Sequence, residues 1–316
     1  METLAQIHNR NVALLFYKDK EEAIKEIRKT LFANLTKYHP AIAIAVEKLL
    51  DERIKKSASP LMGELYPHIV YDLVSGIPAK DFKEVSAQWL AAYVLTVMID
   101  DVYDIDSHLK GALIAPLHLE TSKLYKKVVG TRYSDMFDEL VFSAIQGQIN
   151  DSVLQKQMGN HEQKLVSAGN KNKILTAFSC VIASMLSNQP KGDFVINFTN
   201  NFLLGFQMLD DISDFESDYS EGNKTYLLSF EQKKFQNRKT LLEGIILSGT
   251  FNKTLDIVLT SLNKGFEMIQ NENVLTVSYF HQLIVETKNL KKLISSYTPS
   301  KLDEIDKQIK IICQST

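Results

Sequence analysis

Long stretches of this chain pass without a helix breaker, and within them apolar residues return at every third or fourth position. Only 13 Gly and 7 Pro occur in 316 residues. Strict alternation of apolar and polar residues, the mark of a half-buried strand, is hard to find. Residues 161–188 carry the pattern clearly: Leu165, Val166, Ile174, Leu175, Phe178, Val181, Ile182, Met185 and Leu186 fall at helical spacing. The second half of that segment is apolar on most sides, as in a buried helix. The spacing predicts helices near 21–37, 40–56, 60–75, 81–104, 111–129, 134–158, 161–188, 193–214, 236–248, 251–270, 273–296 and 301–313. Asp81 is placed to cap one of them. Pro190 and Gly192 separate 161–188 from its successor, and the polar run 215–225 reads as a loop. With no repeat, low-complexity tract or linker, the economical architecture is all-α, a single large helical bundle over residues 1–316.

Composition narrows the function. Apolar residues make up 45% of the chain and charged residues 23%, enough to build a sizeable core. The net charge of −2 comes with no basic tail, so nucleic acid is not an expected partner. No uncharged run reaches ~18 residues, so no transmembrane helix is expected. Cys180 and Cys313 stand far apart without metal-ligand or redox spacing, which fits a reduced, cytoplasmic chain. Arginine is scarce: Arg10, Arg28, Arg53, Arg132 and Arg238 are all there is. That matters for any anionic substrate, because arginine is the usual bidentate clamp for phosphate groups.

Two acidic clusters carry the chemistry. Residues 94–106 read VLTVMIDDVYDID and residues 202–215 read FLLGFQMLDDISDF. Each is an apolar helix ending in D-D-x-x-D: Asp100, Asp101 and Asp104 in one, Asp210, Asp211 and Asp214 in the other. Offsets of zero, one and four residues lie at about 0°, 100° and 40° around a helix axis, so the three carboxylates share a face. Like charges so placed repel and weaken a helix unless a cation compensates them. A single cluster reads equally as a solvated acidic helix end. Two, matched in spacing and in apolar lead-in, point to hard cations held between carboxylates. Magnesium suits this, since it takes one or two carboxylates per ion and keeps places for phosphate and water. Nothing resembles the glycine-containing loop of an EF-hand calcium site.

With these residues in view, the chain resembles the trans-isoprenyl diphosphate synthase (polyprenyl synthetase) family, whose all-α fold is shared with class I terpene synthases. The likeness runs over roughly residues 60–230. Asp100, Asp101 and Asp104 match the family's first aspartate-rich motif; Asp210, Asp211 and Asp214 match the second. Gly147-Gln148-Ile149-Asn150-Asp151 matches its G-Q-x-x-D, and Phe206-Gln207 its F-Q. Lys171 begins the K-T pair, with Asn172 in place of threonine, and Lys224-Thr225 resembles the lysine–threonine segment after the second motif. The resemblance implies a magnesium-dependent enzyme, with three ions held by the six aspartates and an allylic prenyl diphosphate as substrate. It also implies that Lys171 and Lys224 grip the diphosphate, that Gln148, Gln207 and Asp151 line the cavity, and that the protein is a homodimer.

Departures from the family point further. Chain-elongating members bind isopentenyl diphosphate in a basic pocket drawn from a G-G-K-R-x-R-P segment and an R-R-G. Here those read Leu61-Met62-Gly63-Glu64-Leu65-Tyr66-Pro67 and Leu109-Lys110-Gly111. Lys110 is the one cation left of about four, and Glu64 adds a carboxylate. Each charge-assisted hydrogen bond contributes roughly 1.5–3 kcal/mol, so losing several weakens isopentenyl diphosphate binding by orders of magnitude; Lys55 or Lys56 could replace them. Without that co-substrate, the allylic cation would be attacked by its own distal double bond and then lose a proton, a terpene synthase reaction. Trp89, Tyr93, Phe178, Phe202 and Phe206 could stabilise such a cation, or serve as plain core. Thr96 and Leu95 stand where relatives place aromatic residues that shorten the pocket, which favours substrates of fifteen or twenty carbons. The terpene-cyclase motif N/D-D-x-x-S-x-x-x-E is absent, so the likeness is to cyclases built on the elongation scaffold. The rival readings are chain elongation, prenyl transfer to a peptide or aromatic acceptor, and a regulatory subunit of a heteromeric synthase.

Overall fold

The computed structural model describes residues 12–57, 62–74, 76–100, 107–154, 161–229, 235–272 and 274–313, and its regular elements are all helices. They are α1 (Val12–Thr36), α2 (Pro40–Ser57), α3 (Met62–Asp72), α4 (Ala79–Asp100), α5 (Ser107–Val128), α6 (Ser134–Leu154), α7 (His161–Lys171), α8 (Lys173–Met185), α9 (Gln189–Ser220), α10 (Arg238–Leu247), α11 (Thr250–Ile269), α12 (Leu275–Ser295) and α13 (Leu302–Cys313), with a 3-10 turn at Pro299–Lys301. The chain is all-α, as its periodicity requires. Among the described residues no helix is long and apolar enough to cross a membrane.

The helices gather into two compact units. One holds residues 14–137 and 178–195. In it α4 packs along α5, and α3 along α4. Its core centres on Tyr66, whose ring lies 5.9 Å from both Trp89 and Phe178 and whose hydroxyl sits 2.7 Å from Ser179 Oγ. The Trp89 indole N–H donates to the Gly63 carbonyl at 2.9 Å. A Cβ at Gly63 would stand 2.2 Å from the Tyr93 ring, so glycine is what lets α3 meet α4 this closely. Ion pairs from α1 to α3, Arg28–Glu64 at 2.5 Å and Lys20–Asp72 at 2.8 Å, fix the register of those helices.

The other unit holds residues 12–13, 138–177 and 196–313 among those described. Here α10, α11, α12 and α13 pack in chain order. Phe198, Phe202, Phe206, Tyr279 and Phe280 form an aromatic core, with ring centroids 4.9–6.3 Å apart. Gly205 and Gly265 admit α11 against α9: a Cβ at either would come within 2.9 Å of Ser261 Cβ or 3.1 Å of Phe202 Cβ.

Four expectations are corrected. The first helix begins at Val12 rather than near 21, because Phe16 joins the core at 0% exposure. The segment expected as one helix over 161–188 divides at Asn172 into α7 and α8. The expected loop 215–225 is helical as far as Ser220: Ile212, Phe215 and Tyr219 continue the apolar spacing, and Phe215 is fully buried beneath the Arg238 guanidinium at 4.4 Å. Asp81 is not a cap. It lies inside the first turn of α4, which starts at Ala79, where its charge still favours the helix dipole. Pro190 marks the start of α9, where its missing N–H is not needed, while Gly192, expected as a separator with it, lies within that helix.

Candidate active site

Three helices of the second unit bring together most of the residues singled out around the second acidic cluster. The close approach of α6 to α7 depends on Gly147, where a Cβ would meet the Lys171 backbone nitrogen at 2.4 Å. Only a bare Cα fits there, and the Ser167 hydroxyl then donates to the Gly147 carbonyl at 2.8 Å. One turn further along α6, Asp151 pairs with Lys171 at 3.5 Å. Gln148, half-buried, lies between Gly147 and Asp151 on α6.

The break between α7 and α8 is put to use. The Asn172 side-chain amide donates to the Ala168 carbonyl at 3.2 Å and to Gln207 Oε1 at 2.8 Å. That fixes the orientation of the Gln207 amide, whose nitrogen donates to Asp210 at 3.3 Å and Asp211 at 3.2 Å. Asn172 thus aligns, through Gln207, the first two carboxylates of the cluster. Asp214 follows on α9, and Asp218 lies one turn beyond it.

Electrostatics set this region apart. Burial pushes the Asp211 carboxyl well above the usual carboxylate range, and Asp210, Asp218 and Asp151 push it further, against the opposing Gln207 hydrogen bond. Burial likewise raises Asp218 to about 7, with Asp214 and Asp210 adding to the shift and Asn223 opposing it. Lys164 on α7 is 3% exposed. Burial and the neighbouring Lys224 bring its ammonium down to about 8. Lys164 donates to the backbone carbonyl of Lys224, while the Lys224 ammonium lies 5.8 Å from the centre of the Tyr219 ring. Beside it, the buried Thr225 hydroxyl has no partner among the described residues.

This arrangement suits a phosphorylated ligand carried by a hard cation. Carboxylates crowded and desolvated enough to hold protons near neutral pH are relieved by a divalent ion, and oxygen donors select magnesium over softer metals. Among the described residues no three His, Cys, Asp or Glu side chains are gathered into a ready-made metal site. An ion here would therefore take part of its shell from phosphate and water, as magnesium commonly does.

Not all of the predicted residues belong to the described part of this unit. Asp101 and Asp104 fall outside the described residues, as do the side chains of Asp100, which ends α4, and of Lys110 on α5. Tyr93 and Thr96 are on α4 in the other unit; Tyr93 packs on Gly63, and the Thr96 hydroxyl donates to the Ala92 carbonyl at 3.1 Å. Phe206 is 8% exposed within the aromatic core. Glu64, expected to bring negative charge to a substrate pocket, is instead 3% exposed and paired with Arg28. Sequence reasoning missed Lys164 and Asp218, and met Asn172 only as a replacement for threonine beside Lys171. Only Asp218 carried a signal, by repeating the four-residue step from Asp210 to Asp214.

No family model matches the chain, and no curated protein matches it. Among solved structures it is similar to a polyprenyl synthase from Roseobacter denitrificans, at 14% identity and a TM-score of 0.55. The match covers 82% of this chain and 99% of that one. The likeness establishes a shared fold.

Proposed function

We propose that this chain is a magnesium-dependent isoprenoid enzyme that ionises an allylic prenyl diphosphate. The observation that carries this reading is the set of α6, α7 and α9 side chains in which Gln207 joins Asp210 and Asp211, with the Asp151–Lys171 pair on the helices alongside. Asp210, Asp211 and Asp214, together with Asp100, Asp101 and Asp104, are the proposed ligands for three magnesium ions. When bound, the metal supplies Lewis acidity to the departing diphosphate. Lys171 and Lys224 bind the diphosphate oxygens as cations. The allylic C–O bond breaks, its electron pair leaves with the diphosphate, and an allylic cation remains where water must be excluded.

For the fate of that cation we favour attack by its own distal double bond and loss of a proton, giving a terpene from a C15 or C20 substrate. Two observations support this. The basic segment that would hold isopentenyl diphosphate is missing from the sequence, and its substitute Glu64 is occupied by Arg28. Thr96 is small where relatives place aromatic residues that shorten the pocket, which favours a longer chain. The likeness to a polyprenyl synthase favours a second reading, chain elongation with isopentenyl diphosphate. Prenyl transfer to a peptide or aromatic acceptor is a further use of the same cation. We place the enzyme in the cytoplasm as a homodimer of single-domain chains.

Incubation with geranyl, farnesyl and geranylgeranyl diphosphates, with and without labelled isopentenyl diphosphate, separates the two readings. Hydrocarbon or alcohol products formed without the co-substrate are expected. Label entering a longer diphosphate would replace cyclisation with elongation, and no turnover of any of the three would remove the proposal.

A further inference from the structure

Helix α7 presents His161, Lys164, Ser167 and Lys171 at intervals of three and four residues, so they form one row along a single face. Every member of that row is engaged in a polar contact. Lys171 pairs with Asp151, and Ser167 donates to the Gly147 carbonyl. The other end of the row holds the loop after α9. Lys164 donates to the Lys224 carbonyl, and His161 Nδ1 lies 2.7 Å from Ser229 Oγ, with its ring edge-on to Tyr226 at 5.9 Å. On the near side, the loop is fastened to α9 by the Asn223 N–H on the Asp218 carbonyl at 2.8 Å, across the left-handed turn at Gly222. Lys224 therefore lies between the end of α9 and the Ser229 anchor, and Lys164 secures it at its own carbonyl.

A lysine is a costly anchor for a carbonyl. Its ammonium must be stripped of water, which is unfavourable unless the charge is used or matched. Part of that cost is offset by the carboxylates of Asp151 and Asp211, whose charges favour the ammonium. What lysine adds is reach from within the helix face to a loop main chain, and two turns away on that face is Lys171, about 10 Å along the axis. One short helix thus sets the places of both lysines assigned to the diphosphate, Lys171 directly and Lys224 through the tie.

We propose that Lys164 is a positioning residue for diphosphate binding: by holding the main chain at Lys224 to α7, it fixes the separation of Lys224 from Lys171. This inference rests on the reading that Lys171 and Lys224 grip a diphosphate. Lys164 acts through Lys224, so removing its tie should weaken the anion site without adding to the loss caused by removing Lys224 itself.

Calorimetric titration of the full chain with inorganic pyrophosphate in excess magnesium tests this, using wild type, K164M, K164R, K224A and K164M/K224A. Wild type should bind. K164M should bind at least tenfold more weakly, K164R should stay within about threefold of wild type, and the double variant should bind no more weakly than K224A. Hydrogen exchange at residues 222–228 should quicken in K164M and not in K224A. If wild type does not bind magnesium pyrophosphate, the diphosphate reading falls, and this inference with it. If wild type binds and K164M matches it within twofold, the positioning role alone is overturned. Losses that multiply in the double variant also overturn it, because Lys164 would then act on the ligand independently of Lys224. Should K164M lack the helical circular dichroism of wild type, K164A, which also removes the donor, takes its place in the cycle, with the same outcomes deciding.

Discussion

Asp218 has an ordinary carboxylate pKa of 3.8 when unfolded and one near 7 when folded. The folded chain therefore holds its proton more tightly than the unfolded chain. The stability that comes with this is fully present below about pH 4 and is lost as pH rises through 7. Asp211 moves in the same direction, also through burial. Without divalent ions, the melting temperature should fall between about pH 5 and pH 8. Added magnesium should raise it more at pH 8 than at pH 5, where protons compete for the same carboxylates. D218N should flatten the metal-free profile. Thermal unfolding followed by circular dichroism across that range checks all three, and a profile identical in D218N would count against the assignment. The D-D-x-x-D spacing made Asp210, Asp211 and Asp214 legible from sequence. Asp218 is hidden because the polar run 215–225 reads as a loop, although Phe215 and Tyr219 continue the helical apolar pattern. Lys164 could not be read at all, since what distinguishes it from other lysines is its burial.

Most helices were visible in the apolar spacing, but the division of 161–188 was not. Gly169, Asn170 and Asn172 are weak helix formers clustered at the break, but the apolar spacing runs on across them. Tertiary contacts meet the chain there: α6 approaches through Gly147, and Gln207 on α9 takes the Asn172 amide. Asn172→Ala should keep the fold and lower turnover roughly tenfold, the ~1.4 kcal/mol expected when a hydrogen-bonded orienting contact is lost. Steady-state rates beside an unchanged circular dichroism spectrum test this. Gly147→Ala is the harsher change. Its methyl would strike the backbone of α7, which cannot yield as a flexible side chain would, so a loss of about 1–3 kcal/mol should appear in urea unfolding.

For the whole molecule, the class was readable and the chemistry only in part. Scarce breakers and three-to-four spacing sufficed for an all-α chain, and the fold is shared with a polyprenyl synthase despite 14% identity. The proposed preference for cyclisation was less legible, because the partner that takes up Glu64 is Arg28, 36 positions away. Chelation should abolish turnover of the preferred prenyl diphosphate, and magnesium should restore it; activity in excess EDTA would exclude the metal-dependent reading. On α6, Phe142, Ile145, Ile149 and Val153 form an apolar row, each more than half exposed. If a second copy covers it, light scattering should give about twice 35.9 kDa for wild type and nearer one chain's mass for F142E.

Helix α9 runs unbroken for 32 residues, about 48 Å from end to end. Phe198, Phe202 and Phe206 ride on it with Asp210, Asp211, Asp214 and Asp218, so the greasy stretch and the acidic stretch are parts of one rod. On the proposed reaction, a substitution that tilts the first to suit a different hydrocarbon would also swing the second. Changes in product that preserve turnover should therefore arise more readily on helices that do not bear the carboxylates, and a laboratory search for new products would do well to leave α9 alone.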